Sequence, residues 1–433
     1  MEKIEIMRKI MKLTNNLGRL LLIKFFGTFG SEMLSFAISL YVLQKTGSAL
    51  SMGISLITGP LINVVMAPLV GYVVDTFNHR AVMILAQIST IVALTMFSVL
   101  FRIFPEFYFI ELVILIGALS ITDSFLSTAV QASLSRLFAR DNLEKANSLN
   151  QSVSSFAEFL APVLGAVVYT LVSLDVFAYI EIGFEGVALL AISTLVFTPV
   201  NSADEETDPS EATLGRETVF ANFIGGLRFL WEHKIYLLLS GSSGIINFFF
   251  ATVNLGLPFL LVDRLHLSNS QYGFTQSAFA GGMILGGLIL SRLHLKISPL
   301  NFAYLSLSIF GVIIAIIGFP GMARMPGVWY CIIFSFLNVC LGILLVFSNT
   351  PVDVYMQQTI PENVQGRVFT LDEALSTVLM PLGTLVFGLL FDRINATVVF
   401  LIGGIPMLLL SVVVLIVIGK RVDSQRGTQE SLG

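Results

Sequence analysis

Five acidic side chains stand where an acid is disfavoured. Glu32, Asp123, Glu158, Glu181 and Asp353 lie inside or at the margins of long apolar stretches, and none has a lysine or arginine beside it at the same level. At mid-depth in a bilayer a charged side chain costs at least about 2.5 to 3.5 kcal/mol, so it usually faces a cavity or a partner. A carboxylate withdrawn from water and lacking a basic partner binds a proton more readily than an exposed one, and can exchange it near neutral pH. Glu32 and Asp123, nearest the middle of their stretches, are therefore the first candidates for coupling protons or holding a cationic cargo. Glu158, Glu181 and Asp353 are secondary candidates. For each of the five the plainer alternative is a structural hydrogen bond between helices.

Asn247 and Asn254 occupy roughly one face of a helix and can hydrogen-bond a cargo or bridge helices. With 36 Phe and 14 Met the chain has the means to line a greasy, adaptable cavity, although most such residues must face lipid or neighbouring helices. Acids without deep bases suit a cationic or neutral amphipathic solute better than an anion. Cys331 and Cys340 share one apolar stretch without further ligands, and the four histidines form no ligand spacing, so no metal or other cofactor is expected. Nucleophile elbow, Walker loop and HExxH patterns do not occur, which argues against an enzyme.

The elements that must position these residues follow from composition. Some 55% of the 433 residues are apolar and 12% charged; soluble domains carry about twice that charged fraction. The net charge of −4 provides no basic surplus for nucleic acid, which is not an expected partner. Twelve stretches reach the roughly 20 apolar residues a spanning helix needs: 20–43, 50–74, 81–104, 108–131, 149–173, 176–198, 235–262, 270–291, 299–320, 327–352, 368–391 and 397–419. The expected fold is an all-α integral membrane protein of twelve transmembrane helices in two pseudo-symmetric six-helix halves, 1–198 and 235–433. They are joined by a cytoplasmic linker, 199–234, that begins acidic and ends in an amphipathic helix with Trp231 as its interfacial anchor. Placing both termini in the cytoplasm puts about 19 Lys and Arg inside and about five outside, as the positive-inside rule requires. The location expected is the cell membrane, crossed many times by what is expected to be a monomer.

Glycines mark a register. Gly71 to Asp75, Gly165 to Tyr169, Gly287 to Ser291 and Gly388 to Asp392 share one spacing near the ends of spans 2, 5, 8 and 11, as inverted three-helix repeats demand. Pro162, Gly165, Gly282, Gly286 and Gly388 are expected to permit close helix packing or bends. Asp75 can cap another helix and pair with a base, which makes Gly71, Asp75, Arg80 and Arg136 a candidate cytoplasmic gate.

Gly71-Tyr72-Val73-Val74-Asp75-Thr76-Phe77-Asn78-His79-Arg80 resembles the loop signature of the major facilitator superfamily. Thr76, Asn78 and His79 depart from it, standing where a basic residue, glycine and arginine are preferred. Lys45-Thr46-Gly47-Ser48-Ala49 and Gly366-Arg367-Val368-Phe369 resemble the bacterial macrolide-efflux branch. Ala161-Pro162-Val163-Leu164-Gly165-Ala166 is similar to a motif of drug-proton antiporters, with alanine replacing glycine at both of its ends. The resemblance implies secondary transport by alternating access: proton-coupled efflux of macrolide-like or other amphipathic drugs. It also implies that the Asp75 contact holds the cytoplasmic side closed. Export or flipping of an endogenous amphiphile, such as a siderophore or lysolipid, and a non-transporting sensor or scaffold are the alternatives.

Overall fold

The computed structural model describes residues 2–137, 164–195, 227–293 and 297–430, with 149, 153, 156, 157, 160 and 161 between the first two stretches. All regular structure among them is helical. In chain order it comprises α1 (Glu2–Thr46), α2 (Ala49–Thr76), α3 (His79–Ile103), α4 (Tyr108–Leu137), α5 (164–171) and α6 (Leu174–Ser193). There follow α7 (Lys234–Pro258), α8 (Asn269–Arg292), α9 (Pro299–Ile316), α10 (Gly327–Thr359), α11 (Glu362–Arg393) and α12 (Ala396–Glu430).

Ten helices among the described residues are long and apolar enough to cross a membrane. Of the remaining two expected spans, 149–173 falls partly outside the described residues, and 368–391 lies within the 32-residue α11. Most of the linker, with its acidic opening, also lies outside them. Its end is helical at 227–232, where Leu230 is buried and Trp231 is exposed.

The chain divides into two compact units, Met1–Gly47 with Ile54–Asp204 and Ser48–Gly53 with Glu205–Gly433. The expected boundary ran through the linker alone; the first residues of α2 instead group with the second unit. Local chemistry at that point is explicit. Gly47 ends α1 in the left-handed region at φ 60°, its N–H donating to Leu43 O at 2.8 Å, which is a glycine C-cap. Ser48 Oγ accepts from Ser51 N at 3.1 Å and starts α2. In the second unit, Asp392 Oδ1 accepts from Ala49 N and its Oδ2 from Ser48 Oγ, both at 2.7 Å. An acid thus sits on the positive end of α2.

Helix pairing in the first unit sets α1 and α3 against α6, and α3 against α4. α2 meets α4 where Ser124 Oγ donates to Asn63 Oδ1 at 2.8 Å, and α5 meets α1 where Gly165 lies against Met33 and Phe36. In the second unit the pairs are α7 with α11, α8 with α10 and α9 with α12. Each of these crosses over glycine: Gly256 and Gly383, then Gly282, Gly286 and Gly342, then Gly311 and Gly404, all with a neighbouring helix where a Cβ would stand. Within the second unit the first helix therefore pairs with the fifth, the second with the fourth and the third with the sixth. Of the glycines that share one spacing, Gly165 and Gly388 lie in close contacts, and Gly71 and Gly287 face open space. Pro162 lies outside the described residues.

One core of the first unit gathers Leu20, Ile23, Val74, Met83, Ala129 and Ile192 from five helices. Beside it two arginines hold the C-terminus of α6: Arg19 Nη1 donates to Thr194 O at 2.5 Å and Arg80 Nη2 donates to Ser193 O. At the other end of α6, Arg102 of α3 pairs with Asp175. Cations on the negative end of a helix and an acid on its positive end both favour the arrangement.

Candidate functional site

In the first unit a cavity of about 880 Å³ is lined by Lys24, Thr28, Ser31 and Glu32 of α1, Asn63 of α2, and Asp123, Ser124 and Gln131 of α4. Glu32 and Asp123, the two first candidates, share this one space. Ser31 Oγ donates to Asp123 Oδ2 at 3.5 Å. The i, i+4, i+8 sequence Lys24, Thr28, Glu32 explains why α1 presents these groups together: residues four apart lie one above the other on one helical face. Lys24 corrects the expectation of acids without a base, since it lines the same cavity and acts electrostatically on Asp123. In the sequence it reads as part of the basic N-terminal run, because its distance from Glu32 along the chain hides a separation of only about two helical turns.

The second unit holds a smaller cavity of about 300 Å³. Asn247 of α7, Tyr304 of α9, Asn349 and Asp353 of α10, and Asp372 of α11 line it. Asn247 Nδ2 donates to Ser243 O at 3.1 Å within its own helix, leaving its carbonyl oxygen toward other partners. Asn254 does not belong to this lining. Asp372 escaped the sequence reading although it lies in Thr370-Leu371-Asp372-Glu373, inside an expected span; the signal was available.

The remaining candidates are dispersed. Asp75 is exposed and makes no ion pair among the described residues. Arg80, expected beside it, is turned to the end of α6, where an unsatisfied helix-terminal carbonyl attracts it. The Arg136 side chain and Glu158 lie outside the described residues. Asn78, a departure from the loop signature, serves its own helix, because its Oδ1 accepts from Arg80 N at 2.9 Å and caps α3. His79 Nδ1 and Ser133 Oγ lie 3.2 Å apart in the interior.

Glu181 is fully buried on α6, and four residues on, Glu185 is buried too. Glu185 is not among the sequence candidates, although the i, i+4 rule puts it on one face with Glu181. The expected span placed Glu181 near a margin; α6 begins at Leu174 and ends at Ser193, so the pair occupies its middle.

Residues 20–384 match the family described as Major Facilitator Superfamily. Macrolide efflux protein A of Streptococcus pyogenes is 23% identical over 387 residues, covering 88% of this chain and 91% of that protein. The multidrug efflux pump Tap of Mycolicibacterium fortuitum is 25% identical over 379 residues, covering 86% and 88%. Among solved structures, the nucleoside transporter NupG superposes with a TM-score of 0.70 at 15% identity, covering 93% of this chain and 98% of that one.

Proposed function

This chain belongs to the major facilitator superfamily, as a multi-pass membrane transporter and not an enzyme, and on that footing we propose that it exports macrolide-like or other amphipathic drugs in exchange for protons. The observation that carries the reading is the convergence of Glu32 and Asp123 on one cavity with Asn63, Ser124 and Lys24. Two acids and neutral hydrogen-bonding groups in one space can take a proton and a cationic or polar group of the cargo in alternation. Competition between the two ligands for the same carboxylates is the simplest route to exchange. The names of the relatives support the cargo class.

In this reading the cavity opens alternately to the two sides of the cell membrane as two six-helix halves, joined through 199–234, rock about it. The protein acts as a monomer with both termini in the cytoplasm. Asp75 and Gly71 belong to the cytoplasmic gate, with Arg136 as the base for Asp75 and Arg80 committed to α6. Asn247 and Asp353 offer the cargo polar groups from the second cavity, with Asn254 about two turns along α7 from Asn247 and outside that lining.

The test is erythromycin uptake into inverted membrane vesicles with an imposed proton gradient. Wild type accumulates the drug and loses the gradient in step. Glu32→Gln and Asp123→Asn each lower accumulation at least tenfold at equal protein level. Accumulation that survives a protonophore unchanged removes proton coupling, and an absence of flux across a panel of amphipathic drugs removes the export reading.

A further inference from the structure

The Glu181 and Glu185 pair is not used by the cavity just described. Both side chains are 1% exposed, as is Gln87 of α3, whose Nε2 donates to Glu185 O at 3.3 Å. Glu181 Oε2, Glu185 Oε2 and Gln87 Oε1 are buried and have no hydrogen-bond partner among the described residues. All three are acceptors. Buried polar atoms are as a rule satisfied, and an acceptor can be satisfied only by a donor. Among these three oxygens, a donor arises when a carboxyl is protonated.

Opposite Glu181 stands Gly30 of α1, and a Cβ there would fall onto the Glu181 carboxylate. The helix has given up a side chain at the point where the acid lies. Phe184, next to the pair in sequence, packs against Phe26 and Phe29 at 5.7 and 5.6 Å, which keeps the wall between α1 and α6 apolar.

The bases on the helices packed against α6 are engaged elsewhere or face away. Arg102 is paired with Asp175, about 9 Å before Glu181 along the axis, and Arg19 and Arg80 hold carbonyls about 12 Å or more beyond Glu185. His79 of α3 lies beside Ser133. Lys24 and Glu32 of α1 line the cavity, and Glu111 stands in the first turn of α4. Glu158 lies outside the described residues. The cavity acid on the side of the pair is Asp123 of α4. Ser31, which donates to it, is the neighbour of Gly30.

We propose that Glu181 and Glu185 form a proton-binding pair behind the cavity, filled and emptied through Asp123, and that this pair carries a coupling proton while the cavity holds the cargo. Two carboxylates one turn apart on a buried helix face oppose each other's ionisation, which favours a proton on the pair. Loading takes a proton from the cavity through Asp123 onto a glutamate oxygen; unloading returns it by the same route once cargo alters the charge at Asp123. The inference rests on the proton-coupled reading above but assigns the proton to different residues.

Infrared spectroscopy of the full protein in liposomes tests it without a drug. At neutral pH the wild type should show the carbonyl stretch of a protonated carboxyl, weakened in Glu181→Gln and in Glu185→Gln and lost in the double variant. In a second arm, protons released per erythromycin bound should fall at least fivefold in the double variant. A wild-type band unchanged in the double variant overturns the pair while leaving drug export through Glu32 and Asp123 intact. A band that behaves as expected, with wild-type erythromycin export indifferent to the proton gradient, overturns the coupling role together with the proton-coupled reading. If the glutamine variants do not accumulate, Gly30→Ala decides on its own: it crowds Glu181 without removing an acid and should shift the band, and an unshifted or absent wild-type band refutes the proposal.

Discussion

At the scale of single residues, the first unit separates acids by the company they keep. Asp175 has Arg102; Asp123 has Ser31 and shares a cavity with Lys24; Glu181 and Glu185 have each other, since Gln87 donates to the Glu185 backbone and not to its carboxyl. An acid with a direct cationic partner is held as an anion, whereas one with only neutral donors nearby can change its charge as ligands come and go. The Ser31 contact is long at 3.5 Å and contributes little. Ser31→Ala is therefore expected to lower drug export in cells by less than fivefold, measured as retained erythromycin, whereas Asp123→Asn lowers it at least tenfold. Equal effects of the two would mean that the serine orients the acid.

Elements are tied by small residues and caps. At Gly282 the backbone of α10 stands where a side chain would be, at Val339, and Gly342 reciprocates against Phe279 and Met283. Van der Waals packing of this kind is a principal attraction between helices in lipid. Gly282→Leu has nowhere to place its side chain, and overpacking of this sort costs about 1 to 3 kcal/mol. A lower melting temperature in detergent and a broadened elution profile are expected, with Gly287→Leu, which faces open space, as the unaffected control. Gly47 presents the other kind of constraint. Its φ of 60° costs a residue with a side chain about 1 kcal/mol or more, so Gly47→Ala should also lower the melting temperature, by less than Gly282→Leu.

For the whole molecule, the charge bias of the sequence makes a prediction that needs no atomic detail. With both ends in the cytoplasm, a fluorescent reporter fused after Gly433 should mature and shine, and a phosphatase fused there should be inactive; the opposite pattern would invert the topology. The sequence by itself determined the solvent, because 55% apolar residues in stretches of spanning length leave no soluble core to build. It also determined the superfamily and the acids worth testing, since unbalanced carboxylates in apolar stretches announce themselves by type alone. Asn78 and Gly47 entered the sequence reading only as motif residues; their roles as caps of α3 and α1 came from the structure. Grouping was not legible either. That Glu32 and Asp123 share a cavity, that Lys24 joins them, that Arg80 turns from Asp75 to the end of α6, and that Gly30 makes room for Glu181 all depend on which helices lie side by side. Apolar periodicity does not encode that choice in a bilayer, where lipid and neighbouring helices are equally greasy and the face that packs is selected by a few small and polar side chains. Only tertiary contacts between residues far apart in the chain settle it.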